Sequence, residues 1–255
     1  MKIIAVIPAR MASTRLPGKP MVDILGMPMI GHCYKRAEMC ELLDLVYVAT
    51  CDKIIYDYIK SIGGNAIMTS DSHERACDRA AEAMLKIENI HNMKTDILVM
   101  LQGDEPMVNP GMIISALDPL IKNEEIMISN LYREINSIKE FEDPNEVKVI
   151  LDINKFAIYF SREPIPSRKK GFDKVPMFKQ ICSIPFRRDY LLKFNEMKQT
   201  DLEIIESIDM NRIIENGQKI KMEYCEDESI SVDTKNDLDR VIIEMKKDKL
   251  INKYL

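Results

Sequence analysis

No stretch of this 255-residue chain is apolar for long enough to span a bilayer as a helix. Nor does it open with a charged segment followed by a cleavable apolar one. It begins directly in strand-like sequence, so the expected location is cytoplasmic, with no membrane partner. Positive charge is not in excess: the net charge of −5 argues against a nucleic-acid partner held by the overall field. The one compact basic run, Arg168-Lys169-Lys170, reads as a solvated loop. No CxxC pair is present. The six cysteines (Cys33, Cys40, Cys51, Cys77, Cys182, Cys225) show no metal-like spacing with His32, His73 or His91. Free thiols are therefore expected, most of them buried, and a zinc site is not. There is no internal repeat, no low-complexity tract and no linker that would divide two independent domains. What remains is ordinary soluble composition, 46% hydrophobic and 30% charged, enough to build a sizeable core.

The order of elements is informative. Lys2 to Ile7 reads as a buried first strand. Met27 to Leu42 carries a helical period, with Pro28 suited to its first turn. Asp44 to Thr50 is a second strand, and Asp52 is placed to cap a helix over Lys53 to Ile62 that stops at Gly63-Gly64. Asn65 to Met68 is a short strand, Thr69 to Arg75 a polar loop, Cys77 to Ile87 a helix, and Asp96 to Leu101 a fourth strand covered on both faces. This alternation, with short links, predicts an α/β fold with a doubly wound, mainly parallel sheet. The second half is less regular. Helices are predicted over Pro110 to Ile121, Arg188 to Met197 and Leu202 to Asn216. Strands are predicted over Ile126 to Leu131, Val147 to Leu151, Phe156 to Phe160, Ile181 to Phe186, Lys219 to Tyr224 and Ile230 to Asp233. Ser161 to Pro176, with three prolines, Arg162 and Lys174, reads as an exposed arm, and Asp237 to Lys247 as an amphipathic helix.

Chemistry gathers where strands end. Immediately after the first strand, IPARMASTRLPGKP crowds Arg10, Arg15 and Lys19 among Ser13, Thr14 and Gly18. Ligands of open α/β sheets sit outside the carboxyl ends of the strands. Arg grips phosphate through a planar fork, Lys as a mobile charge, and small residues let backbone N–H groups approach phosphate oxygens. A local cation cluster on an acidic chain points to a small polyanion. After the fourth strand, Gln102-Gly103-Asp104-Glu105-Pro106 reads either as a turn or as a Mg²⁺ site of one or two carboxylates completed by substrate phosphates. Asp233, ahead of the last helix, reads either as its N-cap or as a second metal ligand. Residue chemistry thus leads to a Mg²⁺-dependent enzyme acting on a phosphorylated nucleotide or sugar.

These landmarks together resemble a known family, the cytidylyltransferases that activate 3-deoxy-manno-octulosonate (KDO). The resemblance runs nearly end to end: IPAR-ASTRLPGKP, Val48-Ala49-Thr50 with Asp52, the Gly63 pair, QGDEP, the DPN-VKV-LD stretch from Asp143 to Asp152, YFSR-PIP from Tyr159 to Pro166, and Val232-Asp233-Thr234. It implies a single Rossmann-like nucleotidyltransferase domain over residues 1–255. A β-rich extension at about 131–190 would serve acceptor binding and homodimerisation. The implied reaction is attack of a sugar hydroxyl on the α-phosphorus of CTP, expelling pyrophosphate. By the resemblance, Ala9, Arg10, Ser13, Arg15, Lys19, His73, Arg75, Asp78 and Arg79 bind the nucleotide. Lys19, Arg15 and Asp104 form the catalytic set, and Asp104 and Asp233 hold Mg²⁺. Gln102, Arg162, Gln180, Ile184, Asp209 and Met210 face an acidic sugar.

Departures from the family pattern are concentrated. Its base-side loop H-x-S-G-T-acidic-R becomes His73-Glu74-Arg75-Ala76-Cys77-Asp78-Arg79. On the sugar side, a His, a Tyr and a Gln are replaced by Gln180, Ile184 and Met210, and a pocket that loses hydrogen-bond partners loses discrimination. The expectation is therefore CTP chemistry with KDO or a different acidic acceptor, such as a modified octulosonate, another keto-sugar acid, or a small carboxylate or phosphonate. A non-catalytic nucleotide-binding regulator is the reading of another class, disfavoured by the retention of Lys19, Asp104 and Asp233.

Overall fold

A computed structural model describes residues 1–13, 15–169, 175–181 and 183–255. The sequence readings at Thr14, Lys170, Lys174 and Cys182 lie outside them. The chain divides into two compact units, Met1–Ile114 with Asp227–Leu255, and Ser115–Glu226. The extension of about 131–190 expected from the sequence falls within the second unit.

In chain order the first unit opens with β1 (Ile3–Ala9), a minimal hairpin of β2 (Asp23–Ile24) and β3 (Met27–Pro28), and α1 (Met29–Glu38). Then follow β4 (Leu45–Thr50), α2 (Lys53–Ser61), β5 (Ala66–Met68), α3 (Ala76–His91) and β6 (Ile97–Leu101). The division falls inside α4 (Pro110–Lys122). The second unit contains β7 (Ser129–Glu134), α5 (Ile138–Phe141), β8 (Lys148–Leu151), β9 (Ala157–Ser161), β10 (Phe178–Ile181) and β11 (Ser183–Arg187). It continues with α6 (Arg188–Glu196), α7 (Asp201–Glu206), α8 (Met210–Glu215) and β12 (Lys221–Tyr224). The chain then rejoins the first unit with α9 (Lys235–Met245).

The first unit is built on parallel strands in the order β6-β1-β4-β5. Val6 pairs with Tyr47 on one side and Met100 on the other. Every residue of β6 is buried, as its unbroken apolar run requires of a strand covered on both faces. Ile24, Met29, Val232, Val241 and Met245 form a smaller cluster that seats α9. The second unit carries a mixed sheet in the order β12-β7-β10-β8-β9, with β12 parallel to β7 and the other pairs antiparallel.

Three local expectations are corrected. Leu202 to Asn216 is not one helix: α7 ends at Ser207, which adopts φ 54, and α8 starts afresh at Met210. Residues 230–233 form no strand. Ile230 and Val232 are apolar because they pack in the α9 cluster, not because they join a ladder. Asp52 occupies the N-cap position of α2 without capping it; its Oδ2 accepts the Met11 N–H at 2.8 Å instead.

Candidate active site

At the carboxyl ends of β1 and β6 the first unit opens a pocket of about 400 Å³. Sequence chemistry explains its floor. Pro17 and Gly18 form a turn closed by the Lys19 N–H on the Leu16 carbonyl, and Gly18 takes φ 69, a conformation that suits glycine. That turn directs Lys19 inward. Ser13 Oγ accepts the Leu16 N–H at 3.4 Å, and Asp52 fixes Met11, so the cationic loop is braced at both ends.

Lys19 is the centre of the site. Its Nζ donates to Asp104 Oδ2 at 2.5 Å and to Asp233 Oδ1 at 2.8 Å, with only 12% of its side chain exposed. Burial works to lower the Lys19 pKa, but the two carboxylates outweigh it and hold the ammonium above its ordinary value. Arg15 reaches the same Asp233 oxygen at 3.0 Å. Asp233 is available because Thr234, not Asp233, caps α9: the Thr234 side chain and Asp237 form a reciprocal capping box. Two further ties bring the aspartates together. The Val232 N–H donates to the Asp104 carbonyl at 2.9 Å, and Ser229 Oγ donates to the buried Glu105 at 2.8 Å.

The loop ahead of α3 and the start of that helix also line the pocket. His73, Glu74, Arg75, Ala76 and Arg79 line the pocket with Ala9, Arg10 and Ser13. Arg79 is buried and holds the loop from within, donating to Thr69 Oγ1 at 2.5 Å and to the Ser70 and His73 carbonyls. Asp78, on the first turn of α3, is not a lining residue. Sequence reasoning missed Glu82, which accepts from the Ser70 N–H, His73 Nε2 and Lys86 Nζ. Its Lys86 pair has helical i, i+4 spacing, the one local signal that could have flagged it.

The acceptor residues separate. Gln102 lines the pocket beside Gly103 and Asp104. Arg162, Gln180, Ile184, Asp209 and Met210 belong to the second unit. There Arg162 donates to the Glu206 and Pro144 carbonyls, so part of the fork expected to meet an acceptor carboxylate is committed to backbone. Glu206 in turn gathers Tyr159 OH, Ser161 Oγ and the Arg162 N–H. Gln180 lies on β10 paired with Tyr132, and Asp209 sits at the N-cap of α8. Ile184 and Met210 are buried.

The oxygen-only pair Asp104 and Asp233 fits Mg²⁺: the Lys19 ammonium, a cation, already touches one oxygen of each. No group of three or more His, Cys, Asp or Glu side chains among the described residues could hold a metal, so the remaining oxygens of a Mg²⁺ shell would come from substrate and water. Among the described residues Cys33, Cys40, Cys51, Cys77 and Cys225 are free thiols, and no helix is long and apolar enough to cross a membrane.

Comparison with known proteins identifies the family. Residues 4–220 match a family model described as cytidylyltransferase. A 3-deoxy-manno-octulosonate cytidylyltransferase of Geotalea uraniireducens is 41% identical over 257 residues, covering 97% of this chain and 100% of the relative. The enzyme of the same name from Thermodesulfovibrio yellowstonii is 42% identical over 246 residues, covering 94% and 96%. The solved structure of a CMP:2-keto-3-deoxy-manno-octonic acid synthetase complexed with CTP superposes with a TM-score of 0.88 at 35% identity, covering 97% and 99%.

Proposed function

The chain belongs to the cytidylyltransferase family, and on that premise we propose that it transfers CMP from CTP to 3-deoxy-manno-octulosonate, releasing pyrophosphate with Mg²⁺ bound. It is a nucleotidyltransferase, an enzyme with an α/β fold. The observation that carries the reading is the convergence of Lys19 and Arg15 on Asp233, with Lys19 also on Asp104, at the edge of a pocket lined by Arg10 and His73.

In the reaction, an acceptor hydroxyl loses its proton and forms a bond to the α-phosphorus as the bond to the bridging oxygen of pyrophosphate breaks. Arg10, Arg15 and Lys19 supply fixed positive charge against the triphosphate and the leaving group, the form of catalysis that phosphoryl-type transfers depend on. Gln102, at the end of β6, orients the acceptor. The loop braced by Glu82 and Arg79 positions His73 and Arg75 at the nucleotide end. When bound by Asp104 and Asp233, Mg²⁺ supplies charge neutralisation on the phosphate oxygens.

A second reading keeps the nucleotide chemistry and changes the acceptor. It is favoured by Ile184 and Met210, which bury apolar side chains where the family pattern has hydroxyl-pairing residues. A homodimer through the second unit is part of the proposal; Ile153, Ile158, Ile204 and Ile205 of that unit are exposed apolar surface that a second copy would cover. A cytoplasmic location fits a consumer of CTP.

The test is pyrophosphate release with CTP and KDO, run against a panel of acidic acceptors and repeated with Asp104→Asn. Turnover with KDO that falls at least 100-fold in the variant is the expected result. Turnover with another acceptor alone establishes the second reading, and undiminished turnover in Asp104→Asn overturns the metal assignment.

A further inference from the structure

We propose that Lys19 is an exchangeable counter-ion: without nucleotide it neutralises Asp104 and Asp233, and it gives them up only when a triphosphate draws it away. The inference rests on the proposed function and goes beyond it, because it sets the terms on which metal and nucleotide enter.

The argument starts from space and charge. One ammonium lies 2.5 Å from Asp104 Oδ2 and 2.8 Å from Asp233 Oδ1, and Arg15 adds a second cation at 3.0 Å from the latter oxygen. Mg²⁺ demands oxygens at about 2.1 Å in near-octahedral array. A divalent ion entering between these carboxylates meets an ammonium already hydrogen-bonded to one oxygen of each. Metal binding to the nucleotide-free protein therefore competes with a largely buried, hydrogen-bonded cation. A triphosphate changes this. It offers anionic oxygens to the loop that carries Lys19, so that Lys19 exchanges one anion for another and the carboxylates are freed for the metal.

The consequence is positive coupling: nucleotide strengthens metal binding, and metal strengthens nucleotide binding by the same factor. The device also keeps two carboxylates from facing each other uncompensated while the pocket lacks ligand.

The experiment uses Mn²⁺ as the probe, followed by the EPR signal of the free ion. Water proton relaxation separates enzyme-bound Mn²⁺ from Mn²⁺ on free CTP. Wild type is compared with Lys19→Met, Lys19→Arg and Asp104→Asn. Without nucleotide, Lys19→Met binds Mn²⁺ at least tenfold more tightly than wild type, while Lys19→Arg, which keeps the charge, stays within about threefold of wild type. CTP tightens Mn²⁺ binding strongly in wild type and by at least tenfold less in Lys19→Met. Equal nucleotide-free affinities for wild type and a cooperatively folding Lys19→Met, with Asp104→Asn still stripping Mn²⁺ from the CTP complex, overturn the counter-ion role and leave the metal site standing. Asp104→Asn that binds Mn²⁺ like wild type in the presence of CTP removes the metal site itself.

Discussion

Replacing Glu82 by Gln tests whether the loop ahead of α3 is held in shape for the nucleotide. The Glu82 carboxylate, a quarter exposed, accepts from the Ser70 N–H at 2.9 Å, His73 Nε2 at 2.5 Å and Lys86 Nζ at 2.6 Å. Burial pushes its pKa up, but Lys86, the Ser70 N–H and His73 outweigh burial and bring it down to about 2 from 4.5. Because the folded pKa is depressed, the associated stability is fully present above pH 4.5 and is lost as pH falls through about 2. At ~1.4 kcal/mol per pKa unit this is at most ~3.5 kcal/mol, and solvent screening of a partly exposed carboxylate leaves ~1–2. Glu82→Gln should therefore lower Tm at pH 7 by ~2–8 °C. The gap from wild type should close as pH drops from 4.5 toward 2. His73 lines the pocket, so the looser loop must be ordered by CTP itself. KM for CTP is expected to rise ~3–10-fold, with kcat within about twofold, the pattern of lost uniform binding. Initial rates of pyrophosphate release against CTP concentration, beside melting curves across pH, read both effects. A fall in Tm with an unchanged KM would refute the idea that this loop holds nucleotide.

Two further outcomes follow from close packing. A methyl group at Gly103 would lie 2.9 Å from the Pro8 carbonyl and 3.2 Å from Ile30 Cδ1, so Gly103→Ala must push Asp104 away from the end of β1. Activity should fall by ~10-fold or more in the pyrophosphate assay, beyond what the overpacking cost of ~1–3 kcal/mol in a melt would suggest. In the second unit, Arg212 donates to both Glu203 oxygens with both side chains almost fully buried. Arg212→Met should cost ~3–5 kcal/mol in chemical denaturation, and adding Glu203→Gln should recover part of it by removing the stranded charge.

How much of this was legible in the sequence depended on whether the deciding interaction was local. The strands β1, β4 and β6 stood out because a strand covered on both faces needs an unbroken apolar run. The cationic loop and QGDEP were legible because their charged residues crowd at strand ends, and Arg10, Arg15, Lys19 and Asp104 do line one pocket. The break between α7 and α8 was not, since Ser207 adopts a left-handed conformation without a glycine or proline to announce it. Asp233 was ambiguous between cap and ligand. The capping box at Thr234 and Asp237, readable in principle as T-x-x-D, settles which residue caps. Asp52 and Glu82 were misread or missed because their partners, Met11 in one case and the Ser70–His73 loop in the other, come from elements that only the fold brings near.

The bond from the Val232 N–H to the Asp104 carbonyl has a meaning for how the protein is made. Asp104 leaves the ribosome early, but its counterpart emerges only after all of residues 115–226 have been synthesised. A chain that stops short of Asp233 thus lacks half of the carboxylate pair that Lys19 bridges. On the proposed function, such a fragment would have only one of the two carboxylates that hold the metal.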